Sequence, residues 1–362
     1  MANDAQRLMV AAVTVGLSGM VAVLLLRRRR SAGSPHLSQR RLLARYPSRV
    51  AGRQWYPLVV VTEEQSSACE AVRALHLGSE ENIPESVVRL VRSSTTEPWR
   101  PVANVLMKPH LQHSLLAFAW LDGFPAGSRA ALIGVAGGSL LHFWRECVPG
   151  GAGLRIDAVE LDAAVLDAAR EHLGLGMCEP PHGLTTFHVD DGASFLAAAE
   201  DEIYDLLVVD LDMGSLVPPS CEPSPVGASG AASGSAAGGT APGRRRLEPL
   251  APDPTRDMYR VLSERGVLVI NEYSECAPAE RLSRAVTLTR LLRRFFPEVH
   301  TLRTTTHHNT MFICPVERGA GCAALSDLIA RAKQVSASLG LGGIALGDVL
   351  ESIPANRHMV SA

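Results

Sequence analysis

The run Ala130-Ala131-Leu132-Ile133-Gly134-Val135-Ala136-Gly137-Gly138-Ser139-Leu140 constrains this chain more than any other feature. Its apolar start reads as a buried strand, its glycines as a tight turn, and its end as the opening of a helix. About 20 residues further on, Ile156-Asp157-Ala158-Val159-Glu160-Leu161-Asp162 reads as a second buried strand that ends in acids. A doubly wound sheet holds an adenine nucleoside with this order of parts. Gly134, Gly137 and Gly138 would let backbone approach the ligand, and Glu160 would accept hydrogen bonds from ribose hydroxyls. The turn is Gly-x-x-Gly-Gly, not Gly-x-Gly-x-x-Gly. A pyrophosphate site uses its third glycine for close helix packing, and larger residues stand there here, which argues against NAD and FAD. S-adenosylmethionine carries no phosphate and suits the looser turn.

The chain beyond this unit keeps the same alternation. Strands are predicted at 130–134, 155–161, 185–189, 206–210, 267–271, 299–303 and 310–314. Helices are predicted at 139–147, 163–173, 192–199, 255–264, 278–295 and 323–337, with a further helical run from His110 to Leu121. The fold class is therefore α/β: a doubly wound, mostly parallel, Rossmann-like sheet of seven strands covered on both faces. The short turn Thr304–Asn309 makes the last two strands antiparallel. Ahead of this sheet, short apolar pieces separated by polar turns read as a small strand domain over 56–115, and the large domain spans 116–338.

The N-terminus is of another kind. Leu8 to Leu26 is 19 residues without a charge, followed by Arg27-Arg28-Arg29-Arg30. That length spans a bilayer as a helix, and the basic flank puts the remainder on the cytosolic side. Residues 1–30 are thus read as a membrane anchor, with a mitochondrial presequence as the rival, and 31–55 as an aperiodic basic tether. Residues 214–243 are almost entirely Gly, Ala, Ser and Pro and read as a disordered insertion, since they bury too little apolar surface to offset chain entropy. Residues 339–362 form a tail.

The net charge of −2 creates no field that would draw nucleic acid. The seven cysteines contain no Cys-x-x-Cys pair, so neither a zinc site nor a disulfide framework is expected. His307-His308-Asn309 and Cys314 do not have metal-ligand spacing, and the histidines read as a polar turn.

Candidate site residues cluster at strand ends. Asp190-Asp191-Gly192 follows the third strand, where a carboxylate can reach an adenine amino group; one of the two acids is expected to cap the next helix. Asp191 is taken as the ligand contact. The stretch Tyr204–Asp212 reads as the fourth strand with Asp210 and Asp212 at its end, and the two share a face if the strand persists. A carboxylate beside a methyl donor can hold an amine or take its proton, so Asp210 is the candidate catalytic group.

With these residues in place, the chain resembles the spermidine-synthase-like branch of class I S-adenosylmethionine-dependent methyltransferases. Within it, the likeness is to the methyltransferase-like domain that modifies elongation factor one-alpha. The shared stretches are Leu132–Leu140, Asp157–Asp162, Asp191-Gly192, Tyr204–Asp212 and Gly266–Asn271. Arg73–Leu77 and Glu85–Leu90 are similar to the small strand domain of that branch. The resemblance implies an enzyme with S-adenosylmethionine as cofactor, methyl transfer to an amine, a protein substrate and a homodimer as partners. Aminopropyltransferases of the branch share a Gly-Gly-Gly-Asp-Gly-Gly turn. The aspartate is missing here, and Ala136 stands where the close relatives have glycine. The rival readings are a membrane-tethered module that binds the donor without catalysis, and an aminopropyltransferase.

Overall fold

The computed structural model describes residues 40–50, 56–121, 123–178, 184–211, 253–273, 278–303, 309–316 and 325–338. The proposed anchor 8–26, the insertion 214–243, Asp212, His307, His308 and the tail lie outside the described residues. Among the described residues no helix is long and apolar enough to cross a membrane.

Five antiparallel strands come first, in the order β1 (Arg41–Pro47), β2 (Leu58–Ser67), β3 (Glu70–Leu77), β4 (Ser86–Val91) and β5 (Arg100–Pro101). The first corrects the sequence reading, which left 31–55 as an aperiodic tether. β1 pairs antiparallel with β2 through a register irregularity between Leu42 and Ala44. That irregularity erases a clean alternation of apolar and polar residues. The strand also docks on the large domain: the Tyr46 hydroxyl donates to Glu171 at 2.6 Å and the Ser48 hydroxyl to Asp162 at 2.6 Å.

The large sheet holds seven strands in the order β11-β12-β10-β9-β6-β7-β8. These are β6 (Arg129–Ile133), β7 (Arg155–Glu160), β8 (Thr185–Val189), β9 (Tyr204–Leu211), β10 (Leu262–Tyr273), β11 (His300–Arg303) and β12 (Asn309–Pro315). The first five of these run parallel, while β12 runs antiparallel to both β10 and β11. The predicted mixed α/β sheet of seven strands and its antiparallel final pair are therefore present. Strands buried on both faces need apolar residues at every position, which Leu206-Leu207-Val208-Val209 and Val267-Leu268-Val269-Ile270 supply.

The helices are α1 (Pro109–Ser114), α2 (Ser139–Cys147), α3 (Ala163–His172), α4 (Gly192–Ala198), α5 (Pro254–Arg260), α6 (Pro278–Leu292) and α7 (Leu325–Ser338). The helix predicted over 110–121 is shorter: α1 tightens into a 3-10 turn at Leu115–Ala119, five consecutive buried residues. α5 ends at Arg260, short of the predicted 264, because Leu262 already pairs with Tyr204 as the start of β10. One sheet face packs with the small strand layer, α2 and α3 into one core. The other packs against Leu196, Met258, Leu288 and Leu292 of α4, α5 and α6.

The strand order reverses at β6: the chain proceeds outward through β7 and β8, then returns to β9 on the opposite side. Neighbouring helices lie on opposite faces at such a point, and the carboxyl ends of β6 and β9 open a crevice between them.

Candidate functional site

The pairing register sets the site. Ile133 pairs with both Val159 and Val209, so the next residues, Gly134, Glu160 and Asp210, stand on one row across three strands. Asn271 of β10 pairs with Asp210 and continues that row. A cleft lies over it, lined by residues that include Gly134, Val135, Ala136, Ser139, His110 and Asp210.

Glu160 is held by backbone. Its Oε2 accepts the N–H groups of Val135 and Ala136, each at 3.2 Å, and its Oε1 accepts the N–H of Asp162 at 3.2 Å. Burial pushes its carboxyl up, and the backbone N–H groups of Asp162, Ala136, Val135 and Leu161 pull it back down. A carboxylate offers about four lone-pair sites. Most are used here, so ribose hydroxyls would compete with the amides of the turn. Glu160 thus fastens the turn.

The three glycines of the turn separate. Gly134, with φ +90°, makes the bend out of β6 and lines the cleft. Gly137 is closely packed: a Cβ there would run into Ser86 of β4 and Leu173. Gly138 caps α2 with φ +73°, and a Cβ on it would meet Leu175. The last two therefore serve close packing and the helix start. Ala136, between Gly134 and Gly137, has φ +46°, a left-handed conformation that costs an L residue about 1 kcal/mol or more.

Asp191 is the N-cap of α4, its Oδ2 accepting from the Ser194 N–H at 3.0 Å. Asp190 is exposed; its Oδ1 accepts the Asp191 N–H at 2.8 Å, and its own N–H donates to the Glu160 carbonyl at 3.2 Å. The cap expected of one acid of the pair is thus the role of Asp191 itself.

Asp210 is held by side chains. Its Oδ1 accepts from Asn271 Nδ2 at 2.6 Å, and Asn271 Oδ1 accepts from Asn309 Nδ2 at 2.9 Å. Its Oδ2 faces His110 Nε2 at 3.6 Å. Lys108, just before α1, donates to the carbonyl of Pro84 and adds positive charge near Asp210 and Glu85. Burial pushes the Lys108 ammonium below its ordinary range, and the two acids pull it back. Sequence reasoning missed His110, Lys108 and Asn309, and gave Asn271 no role. His110 has no spacing signal, since its partner lies 100 residues on in the chain. Asn271 alone carried one, as the residue that ends an apolar strand level with Asp210.

Comparison with known proteins agrees on the fold. No family model matches the chain. Polyamine aminopropyltransferase of Clostridioides difficile (strain 630) is 26% identical over 145 residues, 40% of this chain and 40% of that protein. The match therefore spans well under two thirds of the relative. The probable spermidine synthase of Corynebacterium glutamicum ATCC 13032 superimposes with a TM-score of 0.52 at 13% identity, covering 81% of this chain and 87% of that one. Human methyltransferase-like protein 13, in complex with SAH, gives a TM-score of 0.45 at 19% identity over 64% of this chain and 93% of that one. The protein has a spermidine-synthase-like α/β fold, with a strand layer ahead of a seven-stranded sheet.

Proposed function

We propose that this protein is an S-adenosylmethionine-dependent methyltransferase that transfers a methyl group to an amine on a protein. The observation that carries the reading is the row Gly134, Glu160 and Asp210 at the ends of three neighbouring strands at the strand-order reversal, with Gly134 and Asp210 lining one cleft. In this reading the nucleoside end of the donor lies between the glycine turn and Glu160, and the reactive methyl lies toward Asp210. The bound donor supplies the electrophilic carbon, and the protein aligns nucleophile, carbon and sulfur. The protein acceptor is supported by the motif resemblance, and tethering to a membrane by the apolar segment 8–26 with its arginine flank.

Aminopropyl transfer is the second reading, favoured by the 26% identity to a polyamine aminopropyltransferase. The turn Gly134-Val135-Ala136-Gly137-Gly138 weighs against it, because it lacks the aspartate of that group. Two incubations separate the readings. Methyl transfer yields SAH from S-adenosylmethionine and a protein fraction. Aminopropyl transfer yields methylthioadenosine from decarboxylated S-adenosylmethionine and putrescine. Methylthioadenosine without SAH would overturn the methyl reading. Recovery of the full-length protein in the soluble fraction after alkaline carbonate extraction would overturn the tether.

A further inference from the structure

His110 has no part in donor binding as described, yet it is buried and borders the cleft. Its Nε2 stands 3.6 Å from Asp210 Oδ2. That separation exceeds a hydrogen bond, so both atoms keep capacity for a third group. Asp210 cannot turn away freely. Asn309 donates to Asn271, which aims its NH2 group at Asp210 Oδ1, and this leaves Oδ2 toward His110.

Among the described residues, several polar groups surround the ring. Asp210 faces it from β9, Lys108 from the segment before α1, and His113 from within α1. β10 and β12 present Asn271 and Asn309, both neutral amides. Glu272 of β10 is paired with Arg284 at 3.1 Å, and Glu85 lies across the cleft beside Lys108.

We propose that His110 and Asp210 together form the receiving site for an acceptor ammonium, with His110 Nε2 taking the proton the nitrogen must lose. The proposal rests on the donor reading of the cleft. It narrows the acceptor to an amine that arrives as its ammonium. The ammonium binds between Oδ2 and Nε2 and gives one proton to Nε2. The freed nitrogen lone pair then forms the N–C bond, and the C–S pair returns to sulfur as the thioether of SAH. The imidazolium left behind is stabilised by the Asp210 carboxylate. A carboxylate acceptor would meet the charge of Asp210 and has no proton to give. Burial pushes the His110 pKa below that of an ordinary histidine, Asp210 pulls it up and Lys108 pushes it down. Burial thus favours the neutral ring, the form whose Nε2 can accept a proton.

Calorimetry on the full chain tests this without knowledge of the acceptor. The probes are SAH and sinefungin, a donor analogue whose amine-bearing carbon stands where the methyl-bearing sulfur would be. In the wild type the preference for sinefungin over SAH should be at least tenfold at pH 7.5. It should shrink as the pH is lowered, because protonated His110 then faces the analogue's ammonium. Asp210→Asn should lower the preference at least tenfold, and His110→Gln should make it independent of pH. SAH binding with a preference that Asp210→Asn leaves unchanged, or that stays constant in the wild type down to the lowest pH at which the protein remains folded, overturns the proposal and leaves the donor reading standing. Absence of SAH binding to the wild type overturns both. If His110→Gln does not fold, the wild-type pH profile and Asp210→Asn decide.

Discussion

The two sides of the cleft are built by different means. On the side proposed to hold the donor, backbone does the holding: Glu160 is gripped by N–H groups of Val135, Ala136 and Asp162, all from the turns at the ends of two neighbouring strands. On the side proposed for the acceptor, side chains hold side chains: Asp210, Asn271, Asn309 and His110 come from β9, β10, β12 and α1. A site made from backbone is set by one strand–turn–helix unit and tolerates distant change. A site made from a series of amides requires three strands in register and a helix packed over their ends. Damage to the first should therefore appear in donor affinity, and damage to the second in turnover.

Asp210→Asn gives the largest test of that contrast. It preserves shape and removes charge, so methylation should fall at least about a hundredfold while SAH affinity holds. Turnover measured as SAH release, beside calorimetry with SAH, checks both halves. Near-normal turnover would remove Asp210 from the chemistry, and loss of SAH binding would move it to the donor side.

Glu160→Ala should act in the opposite sense. Loss of charge-assisted hydrogen bonds costs on the order of 2 kcal/mol, about thirtyfold in SAH affinity. The turn amides also lose their acceptor, so the melting temperature should fall. A variant with a normal melting temperature and unchanged SAH affinity would mean that Glu160 does neither job.

Asn271→Ala sharpens the comparison further. It removes the donor that orients Asp210 without touching the turn. We expect about a tenfold drop in turnover, from the loss of one hydrogen bond to a charged group, with SAH affinity unchanged. An equal loss in both quantities would join the two sides into one network.

Ala136→Gly should have the smallest effect. Relief of the left-handed alanine should stabilise the fold by up to about 1 kcal/mol, reduced by the greater freedom of glycine in the unfolded chain. Urea unfolding reads this directly. A destabilised variant would show that the Ala136 methyl packs usefully.

The donor side was legible because its signals are local. A buried strand, a glycine bend and an acid at the end of the next strand occur in order along Ala130–Asp162, and the backbone conformations they require follow from residue type. The bend at Gly134 and the acid Glu160 beside it were placed at one turn this way. The division of labour among the glycines was not, because only packing shows that Gly137 faces Ser86 and Gly138 faces Leu175. Asp191 shows the same limit: an acid before a helix caps it or binds a ligand with the same sequence signature, and the Ser194 amide decides which.

What the sequence by itself determined is the set of elements and their alternation, because the period of apolar residues and the placing of glycine act within a few residues. Strand order, the register that brings Glu160, Gly134, Asp210 and Asn271 onto one row, and the seating of His110 over it were decided by the tertiary structure alone. The same is true of β1, whose pattern is broken by an irregular register and which is stabilised by β2 and α3. The physical reason is range: propensity and periodicity report on neighbours in the chain, whereas a site at a strand-order reversal joins residues more than 100 positions apart through sheet pairing and packing.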